Sequence, residues 1–283
     1  MYNKIFRITL FVSMATFVAC GQAPEETPAS DTSTSTEEVT EESTETAEEP
    51  EEVEEEKLVS IEVYDAVNLG STYEEAVEIV GSEGEVFTES GEGEFQTTIY
   101  KWENDDSSNL RLMFQNGSLI TKYQTDLIEA ADVELTKDKY ESLDFGGSYE
   151  SAVEILGVDG IEISSGSVAG QPERTEYEWK KSFEEKITLT FQDGGLITRS
   201  QTGVIKSEGA DVSKEKYEQI ADGMSYSAMV ELFGGDGIEE SKTVIPNITT
   251  TASYVWAKDD PFVRISVVFQ DDQPISKNYV GPE

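Results

Sequence analysis

The feature that most constrains the fold of this chain is a threefold internal repeat. Trp102, Trp179 and Trp256 follow one another at a spacing of 77 residues, and each lies two residues after a tyrosine. The related stretches MFQNG, TFQDG and VFQDD follow the tryptophans at nearly constant distance. A period of this size is long enough for each unit to be a small domain with its own core. We therefore expect three repeats, at residues 58–128, 133–206 and 211–281.

Each repeat contains the same apolar helix face. The stretches YEEAVEIVG, YESAVEILG and YSAMVELFG place apolar side chains at positions i, i+3, i+4 and i+7, a spacing typical of an amphipathic helix. Thr72, Ser148 and Ser225 stand in the N-cap position of these helices, and a glycine ends each one. A shorter helix is predicted upstream in each repeat. Its repeated tyrosine is Tyr64, Tyr140 or Tyr217.

The second half of each repeat alternates polar and apolar residues, which predicts half-buried antiparallel strands. In the second repeat, the Tyr–Trp pair alternates with Glu176, Glu178 and Lys180, a strand face that belongs in water. The tyrosine and tryptophan should therefore face the core. Turns are expected at Asn116-Gly117 and Gly194-Gly195. The predicted fold class is α+β: three tandem repeats, each a helix pair packed on one face of a three- to four-stranded antiparallel sheet.

The N-terminal residues predict export and a lipid anchor. Residues 1–19 place Lys4 and Arg7 before an apolar block too short to span a bilayer, as in a secretory signal peptide. The stretch FVAC resembles a bacterial lipobox, which implies that the signal is removed and that Cys20 is lipidated. Secretory cleavage near Ala19 without lipidation is the alternative. The lipidated form is expected outside the cytoplasm, on the cell membrane or the outer membrane.

Residues 20–57 are expected to join the lipidated cysteine to the repeats as a disordered acidic tether. From residue 21 onward this segment contains fifteen Asp or Glu residues, one Lys and almost nothing apolar. It cannot bury enough apolar surface to offset the entropy of ordering it. Repulsion between like charges should extend it and hold the repeats away from the membrane. An acidic docking tail is the alternative interpretation.

Composition excludes several classes of function. Residues 58–283 hold 44 acidic and 17 basic residues, a net charge of −27, which makes nucleic acid a poor partner. The chain has no histidine and one cysteine, so it cannot form a Ser/His/Asp catalytic triad, an internal disulfide or a cysteine metal cluster. We therefore predict that it is not an enzyme and has no metal site and no cofactor.

Three of the repeated motifs together resemble a known family. The helix GGSYESAVEILG, the YxW strand and the hairpin FQDGGLITRSQTG look like the repeated domain of β-lactamase inhibitory proteins. The resemblance spans all three repeats and implies the architecture more strongly than an activity. In that inhibitor, two such domains clasp an enzyme with their exposed sheet face and adjoining loops. The resemblance therefore implies an unknown protein, for example an enzyme, as the partner.

Strand phase predicts which side chains form the exposed sheet face. Met113, Val255 and Val268 would supply apolar contact area on a binding face. An ordinary polar face with a few scattered apolar residues is the alternative. The candidate partner-binding residues are Lys101, Arg111, Met113, Gln115, Gln192, Val255, Val268 and Gln270.

The function predicted from these patterns is that of a lipid-anchored surface protein that binds another protein. A cell-wall or envelope component as the ligand is one alternative. A passive spacer or envelope-assembly lipoprotein without a discrete ligand is another. Lys122, Arg199 and Lys277 recur at matching positions, where they are expected to offset nearby carboxylates; binding of acidic groups is the alternative.

Overall fold

The computed structural model describes residues 58–130, 132–167, 172–207, 209–258 and 262–282. The predicted signal peptide, Cys20 and the acidic tether lie outside these residues. None of the helices in the described part of the chain is long and apolar enough to cross a membrane.

The same order of elements, two helices and then four strands, occurs three times. The first set is α1 (Ile61–Ala66), α2 (Tyr73–Val80), β1 (Glu85–Ser90), β2 (Thr97–Glu103), β3 (Asn109–Gln115) and β4 (Ser118–Thr125), with a short 3₁₀ turn at Gly93–Phe95. The second is α3 (Lys137–Glu141), α4 (Tyr149–Leu156), β5 (Ile161–Gly166), β6 (Arg174–Ser182), β7 (Glu185–Gln192) and β8 (Gly195–Thr202). The third is α5 (Lys214–Glu218), α6 (Tyr226–Phe233), β9 (Ile238–Ile245), β10 (Thr249–Ala257), β11 (Arg264–Gln270) and β12 (Gln273–Val280).

The longer helix of each repeat begins and ends where the sequence predicts. The side chains of Thr72, Ser148 and Ser225 accept hydrogen bonds from backbone N–H groups of the first turn. Thr72 also forms a reciprocal capping box with Glu75. Each helix ends at a glycine in the left-handed conformation, as Gly81 shows with φ 87°. Glycine adopts this conformation at little energetic cost because it has no Cβ.

The twelve strands form a single antiparallel sheet in sequence order. The strands of successive repeats are joined by short ladders, in which β4 pairs with β5 and β8 pairs with β9 over three residues each. The repeat pattern predicts the strands but not this continuity, because pairing between repeats uses backbone groups that any residue carries.

Hairpin turns join the last two strands of each repeat. Asn116 and Gly117 have positive φ, as the two central residues of a type I′ turn require. In the second repeat the prediction was one residue too late, because Asp193 and Gly194 have positive φ and Gly195 already opens β8. Asp tolerates the left-handed conformation, so Asp193 takes the first central position.

A tryptophan lies at the centre of each of three separate buried clusters. Trp102, Trp179 and Trp256 are at most 2% exposed, which confirms the predicted phase of the YxW strand. The indole N–H of Trp179 donates to the backbone oxygen of Val158 at 2.8 Å, and the other two tryptophans make equivalent bonds. The clusters contain residues of the helices and of the central strands. In the second cluster the rings of Tyr149 and Tyr177 lie 4.3 Å apart.

Candidate protein-binding surface

The outer face of the sheet is the face whose side chains alternate with the buried core positions along each strand. Cross-strand pairing links these side chains into rows that run through all three repeats. One row passes from Lys101 in β2 through Tyr123 in β4, Glu176 in β6 and Thr198 in β8 to Gln270 in β11. The outer face is therefore continuous, although its chemistry changes from repeat to repeat.

In the first repeat the outer face carries an aromatic and cationic cluster, which we call the first-repeat cluster: Phe87, Lys101, Arg111 and Tyr123. Phe87 is 54% exposed and lies at an irregularity of β1, between the paired residues Val86 and Thr88. The Arg111 guanidinium carbon lies 5.7 Å from the Phe87 ring centroid and 5.8 Å from that of Tyr123. Lys101 Nζ lies 6.0 Å from the Phe87 ring. These distances fall within the range of cation–π contacts.

The polar atoms of this cluster are only partly satisfied within the chain. Arg111 Nε is buried and has no hydrogen-bond partner among the described residues. Lys101 forms a salt bridge with Glu103. Burial raises the pKa of the Tyr123 hydroxyl, and a hydrogen bond with Thr121 and the charge of Arg111 offset only part of this increase. The hydroxyl therefore remains neutral at physiological pH. The cluster thus offers donors and positive charge in a protein whose net charge is strongly negative.

Met113 and Gln115 extend this surface along β3. Met113 is half-buried and faces Ile99 and Thr121 on the flanking strands, and Gln115 faces Thr97. Met113 and Ile99 form a small apolar area beside the cations. The structure therefore brings four of the predicted residues, Lys101, Arg111, Met113 and Gln115, onto two adjacent strands.

In the second repeat the outer face is polar and acidic. Burial raises the pKa of Glu176, and the neighbouring charge of Glu178 adds to this effect, while Lys186 opposes it. Glu178 accepts a hydrogen bond from Lys186 Nζ at 2.7 Å. The sequence prediction that these glutamates lie in water holds only in part, because both are half-buried between flanking strands. Gln192, the predicted site residue here, accepts a hydrogen bond from Arg174 Nε at 3.0 Å.

In the third repeat one predicted site residue is placed differently. Val255 was expected to be exposed, but it is 6% exposed. It lies in an interior strand and pairs with Ile238 on one side and Ser266 on the other, so neighbouring strands cover it. Val268 is half-buried beside Ser253, and Gln270 is exposed and donates to Thr249 Oγ1 at 3.2 Å.

The predicted site residues do not converge on one spot. They lie in three groups along the outer face, and β3 and β11 are separated by eight strand spacings, or about 38 Å along the sheet. In the described ranges, no group of three or more His, Cys, Asp or Glu side chains is arranged to hold a metal ion.

Sequence reasoning missed Phe87 and Tyr123. A bulge cannot be recognised from alternation, so the orientation of Phe87 was not predictable. In β4, Leu119 pairs with Phe114 and Thr121 with Met113, which leaves Ile120 as an extra residue and shifts the phase. Because of this extra residue, the alternation of inward and outward side chains in the sequence does not decide on which face of the sheet Lys122 lies. The structure pairs Lys122 with buried Leu112, on the core side, and thus places Tyr123 on the outer face.

Comparison with known proteins identifies one family. The family model described as beta-lactamase inhibitor (BLIP) matches residues 60–146, 136–237 and 213–282, which together make up more than half of the chain. Among solved structures, one match is a protein from Streptococcus mutans described as a candidate beta-lactamase inhibitor protein. It is 20% identical, with a TM-score of 0.38, and the match covers 48% of this chain and 85% of that one. Among curated proteins, no sequence matches this chain.

Proposed function

Since this chain belongs to the beta-lactamase inhibitor (BLIP) family, we propose that it is a non-catalytic protein that binds a partner protein through the outer face of its sheet. The family description concerns inhibition of an enzyme, which is a binding function. We take each repeat to be a helix pair packed on one face of its four strands, so that the opposite face is available to a partner. An enzyme is the partner class that the family description suggests. The export predicted from the N-terminal residues would place this partner outside the cytoplasm.

The observation that carries this proposal is the first-repeat cluster with its neighbour Met113. Aromatic residues, Met and Arg are enriched in protein interfaces, and Tyr and Arg are prominent among the residues that contribute most binding energy. Phe87 offers an exposed ring, and Arg111 a partly desolvated cation whose Nε has no hydrogen-bond partner in the described residues. An acidic and apolar patch on the partner would complement this surface.

The location of the protein is part of the same proposal. A lipid on Cys20 would hold the chain on the cell membrane or the outer membrane, and residues 20–57 would act as the spacer. The support is the order of charged residues, apolar block and cysteine in the sequence. Cys20→Ser should move the chain from the membrane fraction to the soluble fraction of cells that express it. If both forms stay in the membrane fraction, lipidation at Cys20 is not the anchor.

Partner binding can be tested by proximity cross-linking on intact cells that express the full chain, followed by mass spectrometry. Phe87→Ala is the test variant and Phe183→Ala the control, because Phe183 is 85% exposed but lies in the turn between β6 and β7. We expect a specific partner with the wild-type chain and the control, and loss of that partner with Phe87→Ala. Circular dichroism of both variants checks that they are folded.

A second variant tests whether the surface extends to the third repeat. Met113→Asp combined with Val268→Asp places charges at two sites on the outer face. We expect weaker partner binding than with Met113→Asp alone if the partner spans the sheet. Unchanged affinity in the double variant would rule out the outer face. Capture of only random neighbours by the wild-type chain would favour the spacer function.

A further inference from the structure

The two junctions between repeats share a cluster of three side chains. At the first junction, the Tyr64 hydroxyl of α1 donates to Glu162 Oε1 of β5 at 2.9 Å. Lys122 of β4 lies over the Tyr64 ring at 4.2 Å from its centroid and donates to the Tyr64 backbone oxygen at 3.1 Å. A tyrosine of one repeat thus bonds to a glutamate of the next, and a cation of its own repeat covers the tyrosine ring. We call this arrangement the junction cluster.

The second junction repeats the arrangement with a stronger cation contact. The Tyr140 hydroxyl donates to Glu239 Oε1 of β9 at 3.1 Å, and Arg199 Nε of β8 donates to the same oxygen at 2.9 Å. The Arg199 guanidinium lies 4.9 Å from the Tyr140 ring centroid and also donates to the Leu143 backbone oxygen. Charge-assisted hydrogen bonds of this kind are stronger than neutral ones, so the carboxylate is firmly held.

Backbone pairing places the glutamate in this cluster. Lys122 pairs with Ser165, and Arg199 pairs with Lys242, at the centre of the two three-residue antiparallel ladders. The incoming strand therefore adds to the edge of the previous repeat, while its glutamate reaches the tyrosine on the core side and, at the second junction, the cation as well. At each junction, the first strand of one repeat adds to the edge strand of the repeat before it. One carboxylate on the added strand makes the side-chain contacts that distinguish this pairing from pairing with any other strand.

The third repeat contains two of the three parts. Lys277 Nζ of β12 lies 4.6 Å from the Tyr217 ring centroid and donates to the Ile220 backbone oxygen at 2.8 Å. Tyr64 and Tyr140 are fully buried, whereas Tyr217 is half-exposed. Among the described strands, β12 pairs only with β11, and no described carboxylate forms a salt bridge with Lys277. Within the described residues, neither a glutamate nor a strand to carry it completes the third cluster.

We propose that the free edge of β12 is a second docking site, which takes an extended, glutamate-bearing segment of a partner protein. The segment would pair antiparallel with residues 276–278 and place its carboxylate between the Tyr217 hydroxyl and Lys277 Nζ. The positive charge of Lys277 and the two occupied clusters in the same chain define this occupant. The site is on the sheet edge, so it goes beyond the outer-face function proposed above.

A second copy of this chain is a poorer fit for this edge. At the other end of the described sheet, β1 pairs only with β2. Val86 of β1 pairs with Tyr100, which is the position that Glu162 and Glu239 take opposite Tyr177 and Tyr254. Val86 carries no carboxylate, so head-to-tail stacking of copies would leave the cluster incomplete. The edge therefore discriminates in favour of a segment that carries an acidic residue at this position.

One further contact of the internal junctions is absent at β12. The Gln124 and Gln201 side chains donate to the backbone oxygen of the incoming glutamate at 3.0 and 2.9 Å. Tyr279 stands at the matching position of β12, and its hydroxyl donates to the Pro282 backbone oxygen instead. Binding at this edge should therefore depend more heavily on the carboxylate than the internal junctions do.

The chain itself supplies a probe for this site. A labelled peptide with the sequence of β9, IEESKTVI, contains the glutamate of the second junction, and the matched control IQESKTVI lacks its charge. Fluorescence anisotropy with the full chain should show binding of IEESKTVI that is at least about tenfold tighter than that of IQESKTVI, in line with the strength of hydrogen bonds to charged groups. Hydrogen exchange should show protection of the amides of residues 276–278 by the first peptide.

Variants of the third cluster complete the test. Lys277→Gln should abolish the preference for IEESKTVI, and Tyr217→Phe should reduce it without loss of the Lys277 charge. Phe87→Ala should bind the peptide as the wild-type chain does, which separates this site from the outer face. The proposal is overturned if neither peptide binds or if both bind equally. Protection in β4 or β8 instead of β12, or head-to-tail self-association of the chain, would also overturn it.

Discussion

Among single residues, the three tryptophans do most to define the cores. Trp179 is 2% exposed, and an added Cβ at Gly160 would lie 2.7 Å from its ring. The equivalent Gly84 and Gly237 meet Trp102 and Trp256 in the same way. The absence of a side chain at Gly160 leaves room for the Trp179 indole. The indole N–H donates to the backbone oxygen of Val158, in the segment that leads into β5.

We predict that Trp179→Ala destabilises the protein by about 3–5 kcal/mol, because it leaves a large cavity in the second core. The free energy of unfolding from urea denaturation measures this. Phe183→Ala is the control, since an 85% exposed ring should contribute less than about 0.5 kcal/mol. Near-wild-type stability of Trp179→Ala would contradict the core assignment.

Glu176 is a residue whose charge opposes folding. Burial raises its pKa, so the folded state favours the protonated form. The stability that this side chain contributes is fully present below its unfolded pKa and is lost as the pH rises through the higher folded pKa. Ionisation of Glu176 in the folded state therefore costs stability.

We predict that Glu176→Gln unfolds at a higher temperature than the wild-type chain at pH 7. The difference should shrink as the pH falls below the ordinary pKa of a glutamate, where the wild-type carboxyl becomes protonated in both states. Thermal unfolding at several pH values tests this. A difference that does not change with pH would mean that packing, and not the carboxylate charge, is responsible.

At the scale of elements, short helices depend on their ends. The helix Tyr73–Val80 spans eight residues, fewer than an isolated helix needs to be stable in water. Thr72 and Glu75 satisfy two backbone N–H groups that the helix cannot bond internally. Gly81 ends the helix and turns the chain toward β1.

We predict that Thr72→Ala destabilises the protein by about 1 kcal/mol, because it removes one half of the capping box. Ser71→Ala is the control, since Ser71 contributes its backbone oxygen, which accepts from the Leu119 N–H. Urea denaturation of the two variants measures the difference. Equal stability of the two would show that the cap adds nothing in this context.

At the scale of the whole molecule, the junction clusters make one sheet out of three repeats. Arg199 and Glu239 are each only 12% exposed, and Glu239 also accepts a hydrogen bond from the Tyr254 hydroxyl. Loss of one member of such a pair leaves the other charge buried without its partner. The junction therefore couples the second and third repeats more tightly than its three-residue ladder alone would.

We predict that Glu239→Ala destabilises the protein by about 3–5 kcal/mol and speeds amide exchange in β8 and β9. Glu185→Ala removes the partner of Lys181 in a more exposed pair and should cost less than about 1 kcal/mol. Arg199→Met combined with Glu239→Leu should recover much of the loss, because no unpaired charge remains. A loss from Glu239→Ala no larger than that from Glu185→Ala would show that the cluster does not hold the repeats together.

The sequence by itself determined the repeat period, the capped helices and the inward phase of the tryptophan strands. These are local patterns, because a cap, a helical period or a strand alternation involves residues a few positions apart. The tertiary structure alone decided the continuity of the sheet, the placement of Glu162 and Glu239 beside tyrosines nearly a hundred residues earlier, and the burial of Val255. Those features depend on which strands pair with each other and on where bulges shift the register. Strand pairing uses backbone groups that every residue carries, so the pattern of side chains in the sequence does not reveal it.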